Sequence, residues 1–367
     1  MSYADTVFVR NCVDILMSGV SDKDFEVRTK WKDGTPAHTY KKLYTMDYYP
    51  LTKHYIPMIT LRKGGIKNAV DEILWIYQKK TSDLSQLNSH IWDSWNVGDG
   101  TIGKAYGYQI GKKSKYKNPD GTVSMRDQID QVIWDLKNNP GSRSIITNTY
   151  CHEDLSEMGL RPCAYSMTFN VTKDTEGNMY LNGMLNQRSQ DMLTANNWNV
   201  VQYSILLHML AQVCNMKVGM FTHVVADMHI YDRHIPIIMD MLRYYYDMLY
   251  SASSDNAKTL LKDYISKFEE NIHACLPNYP EELTGDDAVL LMKLNVLLKH
   301  STEFDKLNGL ISHPISCNFD VCNIKPFPNP VFSINENIKD FYDFTVDDVK
   351  LVKFECRDYS PKFEVAI

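Results

Sequence analysis

A cysteine and an arginine near the middle of the chain could together form a nucleophilic site. Cys163 and Arg188 flank two runs of alternating apolar residues, and a turn-rich segment at 174–178 joins these runs. If that turn closes a hairpin centred between residues 175 and 176, Cys163 lies opposite Arg188. A nearby guanidinium favours the thiolate over the thiol, and the thiolate is the nucleophile. The spacing therefore predicts a cysteine suited to covalent catalysis.

Other polar residues could act beside that cysteine. The Asn199 amide can donate and accept hydrogen bonds together, which matches the edge of uracil, and Arg188 could bind a phosphate. Glu72 could carry a proton if it is partly buried. Each has an ordinary alternative, since Asn199 could cap a helix and Glu72 could face solvent. Arg188 could form a surface ion pair with Asp191, and an isolated Cys163 is more often a packing residue.

A strand-like segment at 219–231 carries polar residues on one face. Because side chains alternate along a strand, Asp227, His229 and Tyr231 point the same way. His229 and Tyr231 could hold a sugar hydroxyl, or they could be ordinary sheet-face residues. Asp227 and His229 could also ligate a metal, but two ligands on one strand make a weak site.

The composition indicates a soluble globular protein. The chain has 367 residues, of which 44% are hydrophobic, and a formal net charge of −6. Nucleic-acid-binding proteins normally carry a basic patch, so we expect no such partner. The first residues lack the pattern of a signal peptide, and no run approaches the roughly 20 apolar residues of a membrane span. The eight cysteines form no CxxC pair, which favours free thiols in the cytoplasm.

The apolar periodicity predicts a mixture of helices and strands. Helices are expected at about 4–19, 66–80, 125–138 and 199–216, and the last of these could be capped by Asn196 or Asn197. The segment at about 236–300 is helical in pattern, and a terminal strand region should end at Ile367. This mixture predicts an α+β fold with a helical insertion.

The order of the polar residues along the chain resembles the thymidylate synthase family. The central motifs are Pro162-Cys163, Gln187-Arg188-Ser189 with Asp191, Asn199, and Asp227-x-His229-x-Tyr231. Further matches are Arg28-Thr29, Glu72-Ile73-Leu74-Trp75, Ile91-Trp92-Asp93-x-Trp95, Tyr106-Gly107, Ser142-Arg143 and Glu364-Val365-Ala366-Ile367. The resemblance covers about 1–235 and 326–367.

The resemblance implies a role for each matched residue. Cys163 would add to C6 of the pyrimidine and make C5 nucleophilic toward the methylene group of 5,10-methylenetetrahydrofolate, with Glu72 and Asp191 as the other catalytic residues. Asn199 would favour dUMP over dCMP, because relatives that act on dCMP carry aspartate there. The nucleotide would be bound by Arg28, Arg143, Gln187, Arg188, Ser189, Asn199, His229 and Tyr231. The folate would be bound by Trp92, Trp95, Leu160, Asp191, Thr194, Ala195, Trp198 and Ala366.

The resemblance also implies an architecture. The family's fold is an α+β sandwich whose large mixed sheet packs against the sheet of a partner in a homodimer, and Arg143 would reach into the neighbouring site. Residues 1–235 and 326–367 would form the catalytic domain, and 236–325 would form a mainly helical insertion. No metal is expected, because the folate carries the one-carbon chemistry.

Several positions depart from the family's pattern. Ser144 follows Arg143 where a second arginine is usual, Tyr150-Cys151 replaces Trp-Asn, and Ala164 follows the cysteine where many members have histidine. The segment Thr194-Ala195-Asn196-Asn197-Trp198 replaces the usual Leu-Gly-x-Pro-Phe. This segment lines the folate side of the pocket.

These departures bear on how the reaction ends. A methylene intermediate can take a hydride from the folate, giving dTMP, or water, giving 5-hydroxymethyl-dUMP. Hydride transfer needs close and rigid stacking, so a more polar folate wall at 194–198 favours hydration. The sequence therefore predicts a dUMP hydroxymethylase like those of phages, in the host cytoplasm if phage-encoded, with a thymidylate synthase as the alternative. Asn199 argues against a dCMP hydroxymethylase, and Cys163 against a non-catalytic nucleotide- or RNA-binding relative.

Overall fold

A computed structural model defines the fold and describes residues 2–51, 54–252, 255, 258–259, 261–262, 280–299 and 329–367. The principal helices are α1 (Tyr3–Ser18), α2 (Ile66–Tyr77), α3 (Gly107–Gly111), α4 (Gln128–Asn138), α5 (Asn196–Val213), α6 (Ile235–Ala252) and α7 (Gly285–Lys299). The strands are β1 (Val20–Ser21), β2 (Thr39–Pro50), β3 (Ser114–Lys117), β4 (Val123–Arg126), β5 (Ile146–Asn148), β6 (Ala164–Lys173), β7 (Met179–Gln187), β8 (Gln190–Asp191), β9 (Lys217–Tyr231), β10 (Val331–Ile334) and β11 (Val349–Lys353). Among the described helices, none combines the length and apolar character that a bilayer span requires.

One mixed sheet of seven strands lies at the centre of the described structure. Its order is β1–β2–β9–β7–β6–β5, and the short strand β8 also pairs with β9. The strands β7 and β8 run parallel to β9, whereas the other pairs are antiparallel. Helices pack on this sheet, and the predicted α+β fold with a large mixed sheet is confirmed.

A β-bulge sets the pairing at the end of the β6–β7 hairpin that lies away from its turn. In the body of the hairpin Met167 pairs with Leu185. Continued unchanged, this register would place Cys163 opposite Ser189. The register shifts by one residue near the start of β6, and the Arg188 N–H then donates to the Cys163 carbonyl at 2.9 Å. The predicted pairing is confirmed, but it depends on a bulge that the alternation of apolar residues does not indicate.

The helix α5 packs between the sheet and α2, and its side chains are buried on nearly every side. It begins three residues earlier than predicted, at Asn196, and no side chain caps it. The predicted capping by Asn196 or Asn197 is therefore wrong. The Asn197 amide instead donates to the Pro57 carbonyl at 3.0 Å and accepts from the Ile59 N–H at 3.2 Å. A tertiary contact has replaced a local cap.

The C-terminal tail does not form the predicted terminal strand. β10 and β11 pair with each other, but residues 354–367 contain no strand. The end of the tail is held by two backbone hydrogen bonds between Lys30 and Ile367, of 2.8 and 3.1 Å. Ala366 packs beside Trp31. The tail therefore lies along a loop rather than along a sheet edge, so it cannot form a continuous ladder.

The helix α6 contacts the tail through one arginine. The Arg357 guanidinium lies between the rings of Tyr244 and Tyr359, at 4.5 and 4.2 Å, and pairs with Asp240 at 2.8 Å. Helices α6 and α7 belong to the predicted insertion at 236–325, and the rest of that range lies largely outside the described residues. The domain limits therefore stay predictions.

Gly107 begins α3 at a point where a side chain does not fit. A Cβ there would lie 2.2 Å from the Thr81 carbonyl oxygen and 2.6 Å from its backbone nitrogen. Because backbone atoms cannot turn aside, we expect Gly107→Ala to lower the free energy of unfolding by about 1–3 kcal/mol, measured by urea denaturation. Gly285→Ala is the matched control, since its Cβ would meet none of the described residues within 4 Å. An equal loss in both variants would contradict the steric explanation.

Candidate active site

Cys163 immediately precedes β6, and its backbone is held on both sides. Its carbonyl accepts from Arg188 at 2.9 Å, and its N–H donates to the Tyr106 hydroxyl at 3.0 Å. Tyr106 is buried and has a φ of +43°, which is rare for a residue with a side chain. Such a conformation persists only where the surroundings impose it. Sequence reasoning found Tyr106 within a matched motif but missed this contact.

The positive charges near Cys163 do not outweigh its burial. Burial raises the pKa of the thiol above its ordinary value, while the charges of Arg188 and Arg28 act to lower it. The expected net lowering of this pKa is therefore wrong for the isolated chain. Residue types indicate the neighbouring charges, but they do not indicate how completely the fold excludes water from the sulfur.

The Arg188 guanidinium is fixed by backbone carbonyls. Its Nε donates to the Pro162 carbonyl at 3.0 Å, and its Nη2 donates to the Arg161 carbonyl at 2.7 Å. A guanidinium carries further N–H groups, which remain for an anion. The alternative of an ion pair between Arg188 and Asp191 is wrong, because Asp191 binds other groups.

The Asn199 amide belongs to a chain of polar side chains. Gln187 Nε2 donates to Asn199 Oδ1 at 3.4 Å, and Asn199 Nδ2 donates to Gln202 Oε1 at 3.1 Å. Burial lowers the pKa of His223 to about 3, so its neutral ring can donate from Nε2 to Gln187 Oε1 at 2.5 Å. Asn199 lies inside the first turn of α5, so the capping alternative is wrong. This chain fixes which way the amide points, which is what distinguishing uracil from cytosine requires.

Glu72 lies on the buried side of α2 and is 3% exposed, so the alternative of a solvent-facing carboxylate is wrong. Its Oε2 accepts from the Trp198 indole N–H at 2.8 Å. Burial raises the pKa of Glu72, and the neighbouring Gln202, Trp198 and Trp92 side chains partly oppose that rise. The carboxyl group is thus placed to exchange a proton at a higher pH than an ordinary glutamate.

Three residues at the end of β9 share a face, as the sequence predicted. His229 Nδ1 lies 2.9 Å from Asp227 Oδ1, and the His229 and Tyr231 rings lie 5.1 Å apart. Lys41, on the neighbouring strand β2, also pairs with Asp227 at 3.2 Å. Asp227 therefore orients His229 and leaves Nε2 for another partner. Within the described residues no group of three or more potential metal ligands occurs.

Asp191 connects the sheet to the tail. Its Oδ1 accepts from the Leu193 N–H at 2.9 Å, and its Oδ2 accepts from the Thr194 hydroxyl at 2.6 Å. Burial acts to raise the pKa of Asp191, but the His234 ring, whose Nδ1 lies 3.8 Å from Oδ1, and the charge of His229 lower it overall. The His234 ring also lies 2.7 Å from the carbonyl oxygen of Glu364 in the tail.

A cavity of about 250 Å³ adjoins the start of α5. Its lining includes Ile59, Arg62, Lys63, Ala69, Asn197 and Trp198. Sequence reasoning predicted Trp198 but missed Arg62 and Lys63. The signal that could have found them is the pair of basic residues immediately before Gly64-Gly65 and the start of α2, since a glycine pair leaves a groove open beside a helix.

The other predicted folate residues lie in separate segments. Trp92 and Trp95 contact each other edge to face at 5.4 Å, and Trp92 lies 5.1 Å from the Tyr106 ring. The rest are spread along the chain: Leu160 shortly before Cys163, Thr194 and Ala195 before α5, and Ala366 in the tail.

Three predicted nucleotide residues are less closely tied to the cysteine. Arg28 is exposed on the loop after β1, and its charge acts on both Cys163 and Tyr231. Ser189 contributes its carbonyl to Gln187 at 3.4 Å. Arg143 is exposed between α4 and β5, and its guanidinium makes no hydrogen bond or ion pair with the residues that the structure describes. The role of Arg143 stays a prediction.

Comparison with known proteins identifies the family. The family described as thymidylate synthase matches residues 6–256, which is more than half of the chain. The chain belongs to the thymidylate synthase family. It is 32% identical over 358 residues to the thymidylate synthase of Bacillus phage phi3T, covering 96% of this chain and 95% of that protein. Thymidylate synthase 1 of Bacillus subtilis strain 168 matches to the same extent.

A solved thymidylate synthase shares the fold. The thermostable thymidylate synthase A from Bacillus subtilis superposes with a TM-score of 0.68 at 31% identity, and the match covers 99% of both chains. The predicted family is therefore confirmed, and with it the folate co-substrate that the family uses. Because these matches extend over nearly the whole length, the chain beyond residue 256 has a counterpart in Bacillus-type thymidylate synthases.

The electrostatics of Cys163 predict how fast its thiol is alkylated. Because burial raises its pKa, we expect alkylation by iodoacetamide to be slow at neutral pH and to rise as the medium becomes alkaline. Arg188→Gln removes a charge that favours the thiolate, so the rise should move to higher pH. Peptide mass spectrometry measures the alkylated fraction. Arg243→Gln, on the exposed side of α6, is the control, and an unchanged profile in Arg188→Gln would contradict the assigned electrostatics.

Proposed function

We propose that this protein is a thymidylate synthase that converts dUMP to dTMP with 5,10-methylenetetrahydrofolate. The observation that carries this proposal is the placement of Cys163 beside Arg188. The Asn199 amide is joined to Gln187, which precedes Arg188, and the buried Glu72 carboxyl acts on Tyr106, whose hydroxyl binds the Cys163 N–H. Relatives named thymidylate synthase align with nearly the entire chain. This favours the methyl product over the hydroxymethyl product that the sequence predicted.

The nucleotide would bind with its phosphate at the free N–H groups of Arg188 and near Arg28. Asn199 would donate to the uracil O4 atom and accept from N3–H, because Gln187 and Gln202 orient its amide. The ribose would lie against His229, whose Nε2 faces away from Asp227. These contacts would recognise the phosphate charge, the edge of the base and the sugar separately.

Cys163 would act as the nucleophile. Its thiol loses a proton, and the sulfur bonds to C6 of the pyrimidine, which places electron density on C5. Arg188 and Arg28 stabilise the thiolate against the cost of its burial. Glu72 would move protons to and from the bound base, since its raised pKa lets it hold a proton at a higher pH than an ordinary glutamate.

The residues around the cavity fit a reduced folate. The Trp198 ring offers a flat apolar surface, and Arg62 supplies positive charge suited to the carboxylates of such a molecule, with Lys63 beside it paired to Asp358. When bound, 5,10-methylenetetrahydrofolate supplies the one-carbon unit and the hydride. The protein's own part is to hold this molecule against the pyrimidine and to exclude water.

The polar side chains at 194–198 give less support to hydration than their composition suggests. The Thr194 hydroxyl donates to Asp191 at 2.6 Å. Both polar atoms of the Asn197 amide bind the backbone of residues 57 and 59. Groups that are already hydrogen-bonded within the protein are poorly placed to hold a reacting water. The wall is polar in composition but largely satisfied internally.

One group in this wall keeps the hydroxymethyl product as the second candidate. Asn196 is 2% exposed, and its Nδ2 has no hydrogen-bond partner within the described residues. A buried amide in this state is a natural place for a water molecule. If that water reached the methylene carbon, the product would be 5-hydroxymethyl-dUMP.

The product decides between these endings. We expect incubation with dUMP and 5,10-methylenetetrahydrofolate to give dTMP and dihydrofolate in equal amounts, identified by chromatography and mass spectrometry. Cys163→Ala should lower kcat by at least about 10⁴-fold, because no covalent adduct can form. Formation of 5-hydroxymethyl-dUMP and tetrahydrofolate would support the second candidate. Undiminished turnover by Cys163→Ala would refute covalent catalysis for both.

The exposed apolar side chains of the sheet support a homodimer. Leu43, Tyr44 and Met46, in the middle of β2, are 47%, 84% and 48% exposed. Ile146, on β5, is also exposed. Adjacent large apolar side chains of this kind indicate a protein interface. We propose that two copies pack through this sheet and that Arg143 of each copy enters the other's site. The location of the protein in the cytoplasm stays a prediction.

Mixing two inactive variants tests the shared site. Cys163→Ala and Arg143→Gln should each be nearly inactive as homodimers. In a mixed dimer one site holds both substitutions and the other holds neither, so an equal mixture should recover about a quarter of the wild-type activity. Unmixed samples carried through the same denaturation and refolding are the controls. Failure to recover activity, with mixed dimers present by native mass spectrometry, would show that Arg143 serves its own subunit.

A further inference from the structure

The Trp198 side chain stands between two parts of the candidate site. Its indole N–H donates to Glu72 Oε2 at 2.8 Å, and its ring lines the cavity that also contains Arg62 and Lys63. We propose that Trp198 is a positioning residue that holds the Glu72 carboxylate and ties its placement to the folate cavity. This inference rests on the proposed function.

The contact determines which oxygen of Glu72 can carry a proton. An indole N–H can only donate, so the oxygen that it binds is the acceptor in either charge state of the carboxyl group. Oε2 is therefore engaged, and the exchangeable proton belongs on Oε1. A buried carboxylate without this donor would lack compensation for its lost hydration. Trp198 thus acts on proton transfer through Glu72 without touching the reacting atoms.

The other groups near Glu72 do not replace this donor. Gln202 and Trp92 also lower its pKa, but Gln202 Nε2 and Trp92 Nε1 have no hydrogen-bond partner within the described residues. On its own helix the charge of Asp71 raises the pKa of Glu72 further. Two ionisable phenols interact with it, Tyr106 before α3 and Tyr203 on α5, and burial raises the pKa of each, so they stay neutral. No cation is among the largest influences on this carboxyl group. Its charged form therefore depends on neutral donors, and Trp198 supplies a well-formed bond.

The Trp198 side chain combines an aromatic wall for the cavity with a donor for Glu72. Phenylalanine offers a similar ring but no N–H. The two roles can therefore be separated by Trp198→Phe, which retains the ring and removes the hydrogen bond.

The pH profile of this variant tests the proposal. Losing a donor to the charged form raises the pKa of Glu72, so the limb of the kcat profile that Glu72 controls should move to higher pH. We expect kcat at neutral pH to change by about tenfold, the effect of one hydrogen bond to a charged group, with KM for the folate within about twofold. Trp134→Phe, on the outer face of α4 against Arg126, should change neither. If the pH profile did not move and KM for the folate rose, Trp198 would serve only as a stacking surface, and the proposal would be wrong.

A measurement without turnover separates this proposal from the proposed function. In protein labelled with ¹⁵N-tryptophan, the indole resonance of Trp198, assigned by its loss in Trp198→Phe, should move as Glu72 titrates. That movement should vanish in Glu72→Gln. A resonance that ignores pH while other groups titrate would overturn the proposal, whatever product the enzyme forms. If Trp198→Phe fails to fold, Glu72→Gln still carries the test, with the other indole near Glu72 assigned separately by the loss of its resonance in Trp92→Phe.

Discussion

A single backbone hydrogen bond, from the Arg188 N–H to the Cys163 carbonyl, determines which side chains meet at the candidate nucleophile. The body of the β6–β7 hairpin is registered to place Ser189 there, and the bulge at the start of β6 moves the pairing by one residue. Because a slip of one residue exchanges the two faces of a strand, the bulge decides whether a guanidinium or a hydroxyl adjoins the sulfur. The parallel pairing of β7 and β8 with β9 then brings Asp191 beside His229.

Burial acts to raise the pKa of the three buried carboxyl groups of the site, Glu72, Asp191 and Asp227. The neighbouring groups decide whether each pKa ends above or below its ordinary value. Asp191 has His234 beside it, and Asp227 has His229 and Lys41, so the pKa of each aspartate is lowered despite burial. Glu72 has only neutral donors, and its pKa is raised. The aspartates therefore favour their charged form and hold structure in place, whereas Glu72 takes up a proton more readily than an ordinary glutamate. Separation of roles among carboxyl groups follows from the type of partner each one meets.

The sequence predicted those features that depend on local periodicity or on motif order. The bounds of α1, the end of α4, the shared face of Asp227, His229 and Tyr231, and the family follow from these signals. The hairpin pairing was right although its cause, the bulge, leaves no mark in the alternation. Features set by tertiary contacts were missed or wrong. Asn197 binds the loop before α2 instead of capping α5, and the tail follows a loop where a strand was expected. The pKa of Cys163 depends on water exclusion, which residue types alone do not report.

The folate wall shows why composition is a weak guide to how the reaction ends. Thr194, Asn197 and Trp198 are more polar than the residues usual at these positions, which suggested a wall able to admit water. In the fold the polar group of each is hydrogen-bonded within the protein, to Asp191, the backbone before α2, and Glu72. The surface left to the folate is then an aromatic ring beside two basic residues. A polar residue whose hydrogen bonds are made behind the wall can present an apolar face in front of it, so these substitutions are compatible with the close stacking that hydride transfer requires.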